Sequence, residues 1–339
     1  MKAVGYERPL PIDHAEALLD ITLPEPTATG RDLLVEVKAV SVNPVDTKVR
    51  KSAAPADGER YKVLGWDASG VVRAVGPDVT LFKPGDRVWY AGSIARAGTN
   101  SELHLVDERI VGRAPQSLDF AQAAALPLTT ITAWEMLFDR LGIVPGKAPT
   151  ERSLLIIGAA GGVGSIMTQL AARLTPLTVI GTASRAETRA WVRGLGAHHV
   201  IDHGKPLGEE MKRIGFAHVD YVASLTHTDA HLDQIVDVVA PQGRFGLIDD
   251  PASLDATRFK RKAVSVHWES MFTRSLYGTG DMIGQHRLLN EVADLVDAGL
   301  IRTTLNERFG AIDAANLRRA HALIESGTAR GKVVLEGWR

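Results

Sequence analysis

Residues 154–165 read Leu-Leu-Ile-Ile-Gly-Ala-Ala-Gly-Gly-Val-Gly-Ser, and Met167, Leu170, Ala171 and Leu174 follow at helical spacing. An apolar strand that turns through glycines into an amphipathic helix, with a second apolar strand at 177–182, is a βαβ unit and commits this part of the chain to a parallel sheet. Glycines let the backbone approach an anion without a Cβ in the way. The helix beginning near Gly162 directs unpaired N–H groups and its positive dipole end at the same point. The segment Ala160, Gly161, Gly162, Val163 and Gly164 is therefore expected to hold the pyrophosphate of a dinucleotide. Ala159 stands where the first glycine of the Gly-x-Gly-x-x-Gly fingerprint would be, so the motif alone is weak and its context carries the argument. The competing reading is a glycine-rich turn in an ordinary α/β protein.

The flanking sequence divides in two. Up to about residue 125 short strands alternate with turns: 33–42, 70–75 and 86–90, separated by Gly76-Pro77-Asp78 and Lys83-Pro84-Gly85-Asp86. From about 126 helix and strand alternate: helices at 131–141, 162–174 and 187–195, and strands at 153–158, 177–182, 199–201, 221–224, 243–248 and 263–268. After Gly284 a helix is expected from Leu288, Leu289, Val292, Leu295 and Val296, and then a strand at 332–335. With 339 residues, two domains are expected. They are a β-rich unit at 1–128 completed by 270–339, and a doubly wound unit at 129–269.

Charge excludes some partners. A net charge of −1 gives no footprint for nucleic acid or anionic lipid. No apolar run is long enough for a bilayer span, and the reading is a cytoplasmic protein. The chain has no cysteine, which removes disulfides, thiol nucleophiles and thiolate metal ligands.

Val42-Asn43-Pro44-Val45-Asp46-Thr47, Leu64-Gly65-Trp66-Asp67-Ala68-Ser69-Gly70, Phe82-Lys83-Pro84-Gly85-Asp86-Arg87-Val88 and the glycine loop occur in an order and spacing that resemble the medium-chain dehydrogenase/reductase superfamily, and its quinone oxidoreductase branch in particular. The resemblance implies a GroES-like β domain and a Rossmann domain with a doubly wound parallel sheet. Members that are alcohol dehydrogenases hold a catalytic zinc through cysteine, histidine and cysteine. Here the first cysteine position reads Asn43 and the histidine position Trp66, whose indole has no lone pair to give a metal. No zinc is expected. Alanine at 159 fits the Ala-Ala-x-Gly-Val-Gly form common in that branch.

The second strand of a βαβ unit ends where the adenosine ribose is read. A carboxylate there selects NAD and would repel a 2′-phosphate. This chain has Ser184 and Arg185, a small neutral donor and a planar cation suited to phosphate, so NADPH is expected. Arg189, one helical turn on, either reinforces that pocket or lies on a solvated face. His203 falls where quinone oxidoreductases carry an aromatic residue beside the adenosine, and a turn role after Asp202 competes. Thr132 resembles the threonine placed near the nicotinamide, and an N-cap role is compatible with that. Ser224 and Ile248 end later strands, where open α/β sheets bind ligands.

Without a metal, a quinone or an α,β-unsaturated carbonyl is an easier hydride acceptor than an isolated ketone, because the incoming charge is delocalised onto an oxygen that donors can stabilise. Asn43 is the candidate to hydrogen-bond substrate or cofactor, against a turn role before Pro44. Lys48, Tyr61 and Tyr90 are candidate proton donors, against surface and packing roles. Asp67 is a candidate site residue that reads better as an anchor of the turn than as a general acid. The competing functions are an alcohol dehydrogenase or carbonyl reductase, and a cofactor-binding protein with little catalysis, as among crystallin-type relatives. The strand 263–268, read as a sheet edge, favours a homodimer.

Overall fold

The computed structural model describes residues 1–146 and 148–338. They form two compact units, Met1–Ile131 with Phe272–Arg339, and Thr132–Met271. Among the described residues no helix is long and apolar enough to cross a membrane.

The first unit opens with β1 (Lys2–Tyr6), β2 (Leu19–Thr22), β3 (Asp32–Val42), α1 (Pro44–Ser52), β4 (Lys62–Val63), β5 (Ala68–Val75), β6 (Arg87–Tyr90), β7 (Leu103–Asp107), β8 (Val111–Arg113) and α2 (Phe120–Ala124). Helix α3 (Pro127–Trp134) leads into the second unit, which comprises β9 (Ser153–Ile157), α4 (Gly162–Leu174), β10 (Thr178–Thr182), α5 (Ala186–Gly194), β11 (His199–Ile201), α6 (Leu207–Arg213), β12 (Val219–Ser224), α7 (Thr228–Val238), β13 (Val239–Leu247) and β14 (Ser265–Trp268). The chain then returns to the first unit with α8 (Thr273–Tyr277), α9 (Ile283–Asp297), β15 (Leu305–Arg308), α10 (Ala314–Glu325) and β16 (Lys332–Glu336).

Strand β3 organises the first unit. Leu33, Val35, Val37 and Ala39 alternate inward, the period-two pattern of a strand with one face on a core. Its partners are β5, β7 and β16, all antiparallel. The β16 register sets Val333 opposite Val42 and Leu335 opposite Val40, so Lys332 arrives beside the start of α1. This pairing closes a loop of almost the whole chain.

The second unit is a six-stranded sheet in the order β11-β10-β9-β12-β13-β14, with every neighbouring pair parallel. In order of appearance this is 3-2-1-4-5-6, the doubly wound arrangement expected from the sequence, and the strand order reverses between β9 and β12. Its core packs Leu155, Ile180, Val222, Phe245 and Phe259, the two phenylalanine rings stacking with centroids 5.2 Å apart. The expected helix at 131–141 is a correction: α3 stops at Trp134 and residues Glu135–Arg140 form a π-helix. Leu141 N donates to Met136 O, five residues back, at 2.9 Å, a widened turn of the kind found at functional sites more than in ordinary scaffolding. The strand expected from Ala263 starts at Ser265, because Ala263 is left-handed (φ +51°) and ends a 3-10 turn.

Candidate active site

The glycine loop is built by three different requirements. Gly158 leaves β9 with φ +84°, where side chains are strained, and a Cβ there would also stand 2.9 Å from Thr226 Cγ2. Gly164 lets α4 lie against the strand end, since its Cβ would stand 2.3 Å from Gly158 O and 2.5 Å from Ala159 Cα. Gly161 is different. Its φ is −72° and the nearest atom to an added Cβ, Gly158 O, is 3.5 Å away. The protein's own packing does not demand a glycine there. It keeps open the approach to the start of α4, a helix with no side-chain cap on its first N–H groups. Ala160, Gly162 and Val163 share this partly accessible turn. Ala159 is fully buried, and Gly181 makes room for its methyl, which lies 2.9 Å from where a Gly181 Cβ would be.

A relay of side chains continues from the loop along the strand ends. Gly158 N donates to Thr182 Oγ1 at 3.1 Å, and Thr182 Oγ1 lies 3.3 Å from His203 Nδ1. Thr182 Oγ1 accepts from the amide and either donates to or accepts from His203 Nδ1, according to the imidazole tautomer. Thr182 pairs with Ile201, so two residues beyond each strand Ser184 and His203 come to neighbouring positions. Ser184 and Arg185 are exposed, and Arg185 Nε is 3.5 Å from Glu187 Oε1. Arg189 is half-buried, and its Nε is buried with no hydrogen-bond partner. No acidic side chain ends β10. Asp202 serves the turn, its Oδ1 accepting from Gly204 N at 2.9 Å.

His203 and His231 lie with ring centroids 6.3 Å apart. Burial holds both below the ordinary histidine value, and neighbouring His227 adds to the effect on each. Farther along the sheet Ser224 is buried and meets Thr228 Oγ1 at 2.8 Å, while Asp249 Oδ2 accepts from Thr228 N at 2.8 Å at the start of α7. Ile248 N donates to Ser224 O at 3.3 Å. Thr132 is buried on α3.

In the first unit the expected residues form a closed cluster. Asp67 is fully buried and takes four donors: Leu128 N at 2.8 Å on Oδ1, and Ser41 Oγ at 2.7 Å, Asn43 Nδ2 at 2.8 Å and Lys332 Nζ at 3.0 Å on Oδ2. Asn43 Nδ2 also donates to Trp66 O at 3.2 Å, and Asn43 Oδ1 accepts from Lys332 Nζ. Asn43 therefore has both ends of its amide engaged at 1% exposure. It is also the N-cap of α1, with Pro44 at the first helical position and Asn43 N donating to Asp46 Oδ2 at 2.7 Å. Asp46 is buried, and desolvation raises its carboxyl to about 7.

The proton-donor candidates separate. Lys48 is exposed on α1, and Tyr61 is half-buried under the Arg60 guanidinium, 4.9 Å from its ring centroid. Tyr90 is a correction: it is wholly buried, stacks on His104 with centroids 5.4 Å apart, and its hydroxyl bonds His104 Nδ1 at 3.1 Å. Burial pushes the tyrosine up and the histidine down to about 4, so this pair is packing with its polar atoms satisfied.

Sequence reading missed Lys332, Thr182 and a buried acidic pair. Glu135, on the π-helix, and Glu269, just after β14, are both buried, and Arg140 Nε donates to Glu269 Oε2 at 2.8 Å. Burial and the Glu135 charge raise Glu269 to about 9. The available signals were a lysine heading an apolar strand and an acid inside an apolar helical run.

Comparison with known proteins agrees with this architecture. Residues 29–116 match the alcohol dehydrogenase GroES-like domain family, and residues 195–335 match the zinc-binding dehydrogenase family. A zinc-type alcohol dehydrogenase-like protein of Staphylococcus aureus (strain COL) is 40% identical over 337 residues, 99% of either chain. A crystal structure from Rhizobium etli CFN 42, provisionally titled a zinc-dependent alcohol dehydrogenase, is 63% identical and superposes with a TM-score of 0.95 over 100% of this chain and 98% of that one. The Escherichia coli quinone oxidoreductase complexed with NADPH is 25% identical, with a TM-score of 0.83 over 99% of this chain and 100% of that one.

The residues present do not fit zinc. Asn43 and Trp66 replace a thiolate and an imidazole, and Asn43 Oδ1 already holds the Lys332 ammonium. No cluster of three or more His, Cys, Asp or Glu side chains suited to a metal occurs among the described residues. The cofactor cradle does fit, because Gly161 leaves an open approach and Arg189 keeps an unpartnered buried donor. With both units matched and the Staphylococcus protein aligned from end to end, the chain belongs to the zinc-type alcohol dehydrogenase-like proteins of the medium-chain dehydrogenase/reductase superfamily.

Proposed function

We propose that the protein is an NADPH-dependent oxidoreductase of the quinone oxidoreductase type, delivering hydride to a quinone or an α,β-unsaturated carbonyl without a metal. The observation that carries this reading is the end of β10. It presents Ser184 and Arg185 to solvent where a carboxylate would select NAD, with Glu187 two residues on paired to Arg185, while Arg189 Nε is buried and unpartnered. A 2′-phosphate would supply the acceptor that Arg189 Nε lacks, and a ribose diol would not. Ala160 to Gly164 would hold the pyrophosphate at the start of α4, His203 would flank the adenosine, and Thr132, Ser224 and Ile248 would line the rest of the cofactor. When bound, NADPH supplies the hydride.

The chain's own contribution is to orient and to exchange a proton. Lys48 and Tyr61 are the side chains of the first unit left to protonate the reduced product, since Tyr90 is enclosed. Asn43 and Asp67 act as positioning residues, because their polar groups are consumed within the cluster. The edge strand β14, which leaves Trp268 52% exposed, favours pairing with a second copy.

The test is absorbance at the nicotinamide band with NADPH and NADH against quinones, enones, haloacrylates and aldehydes. Turnover of a quinone or enone with NADPH, unchanged by chelator, is expected. Turnover confined to simple aldehydes or alcohols and abolished by chelation would establish the alcohol dehydrogenase reading that relatives' names suggest. Cofactor binding without turnover would establish a crystallin-like role.

A further inference from the structure

We propose that Lys332 Nζ fills a three-oxygen cation site in the first unit and, by engaging Asn43 Oδ1, takes up the side chain that stands at the first zinc-ligand position of metal-dependent relatives. A lysine at 3% exposure is uncommon, and a buried ammonium persists only when its donors are taken. Here all three are: Val42 O at 3.1 Å, Asp67 Oδ2 at 3.0 Å and Asn43 Oδ1. Three acceptors match three N–H groups.

The Asn43 amide can face only one way. Its nitrogen end donates to Trp66 O and Asp67 Oδ2, which turns its oxygen to the cation. Two segments that the superfamily pattern assigns to zinc ligands are thus bound to each other and to an ammonium. The single carboxylate touching Nζ leaves the pair neutral, and a divalent ion entering this cage would first have to expel the lysine.

The charge also sets a position. Asp67 accepts from Lys332 through one oxygen and from Leu128 N, in the first turn of α3, through the other. Thr132 lies four residues on, along the same helix face. Lys332 is therefore a positioning residue for the start of α3. The inference rests on the metal-free part of the proposed function and not on the choice of substrate or nicotinamide.

The test uses the full chain and reads metal content and melting temperature, so it stands apart from any failure of the activity assay. After incubation with zinc alone and dialysis, the wild type is expected to retain far less than one zinc per chain. Lys332→Ala should melt roughly 10 °C lower, the direction and scale of breaking a buried pair. Its melting temperature should recover in ammonium chloride but not in tetramethylammonium chloride, whose cation is too large for the cage, while the wild type responds alike to both salts. If Lys332→Ala does not fold, Lys332→Met combined with Asp67→Asn removes both charges and should fold, melting above Lys332→Met alone. Stoichiometric zinc in the wild type, an unshifted Lys332→Ala, equal recovery in the two salts, or a double variant no better than the single would each overturn the proposal.

Discussion

The Asp67 cluster of the first unit and the glycine loop of the second are both polar and both sit at the ends of strands, yet they are finished to different degrees. Around Asp67 every donor has an acceptor: one carboxylate takes four hydrogen bonds and the ammonium gives three. Around the loop the backbone is left open at Gly161, α4 has no side-chain cap, and Arg189 Nε is buried without a partner. A satisfied cluster holds elements together, whereas a set of unsatisfied donors is a receptor for an anion. By that criterion we read the first region as scaffold and the second as the proposed cofactor site.

The largest effect should come from opening the closed region. Asp67→Ala leaves the Lys332 ammonium buried without its carboxylate, and denaturant unfolding should show a loss of about 3–5 kcal/mol. A loss below one kcal/mol would mean the cluster is not closed in solution.

Between the two extremes stand Glu135, Glu269 and Arg140, with two acids for one guanidinium. Because Glu269 is raised to about 9 by burial and by Glu135, its folded value lies above its unfolded one. Its stabilisation is complete below the ordinary carboxylate range and is lost as the pH rises toward 9, with a slope of at most about 1.4 kcal/mol per pH unit. Melting temperature against pH should fall over that window, and Glu269→Gln should flatten the fall.

Two alanine substitutions in the loop sharpen the comparison further. Gly164→Ala drives a Cβ into Gly158 O and Ala159 Cα, so we expect about 1–3 kcal/mol of lost stability and weakened NADPH binding. Gly161→Ala meets nothing nearer than 3.5 Å and should leave melting within the ±0.5 kcal/mol usual for surface changes, affecting cofactor affinity alone. The smallest effect is one of preference. Arg185→Glu should cut NADPH affinity by about tenfold, the equivalent of one charge-assisted phosphate contact, and leave NADH affinity unchanged in a fluorescence titration.

What could be read from the sequence divides along the same line. The loop from Gly158 to Ser165 and the doubly wound sheet were legible because glycine geometry and apolar periodicity act over a few residues. The Asp67 cluster was only half legible. Asn43 and Asp67 stood in recognisable segments, but their shared partner Lys332 lies 289 residues from Asn43 and 265 from Asp67, and no local pattern pairs them. Without that partner Asn43 read as a free amide for a ligand. Tyr90 failed in the same way, since the end of β6 gave its position and not the His104 ring that encloses it. The π-helix at Glu135–Arg140 was invisible because apolar spacing over a few residues does not separate it from an α-helix.

The central claim is that the glycine loop and the end of β10 form an NADPH site that works without metal. Equilibrium titration of the purified protein with NADPH and with NADH, followed by nicotinamide fluorescence with and without chelator, tests it directly. Saturable NADPH binding at least about tenfold tighter than NADH, unchanged by chelation, is the result predicted. A flat NADPH titration, or equal or tighter binding of NADH, would contradict it.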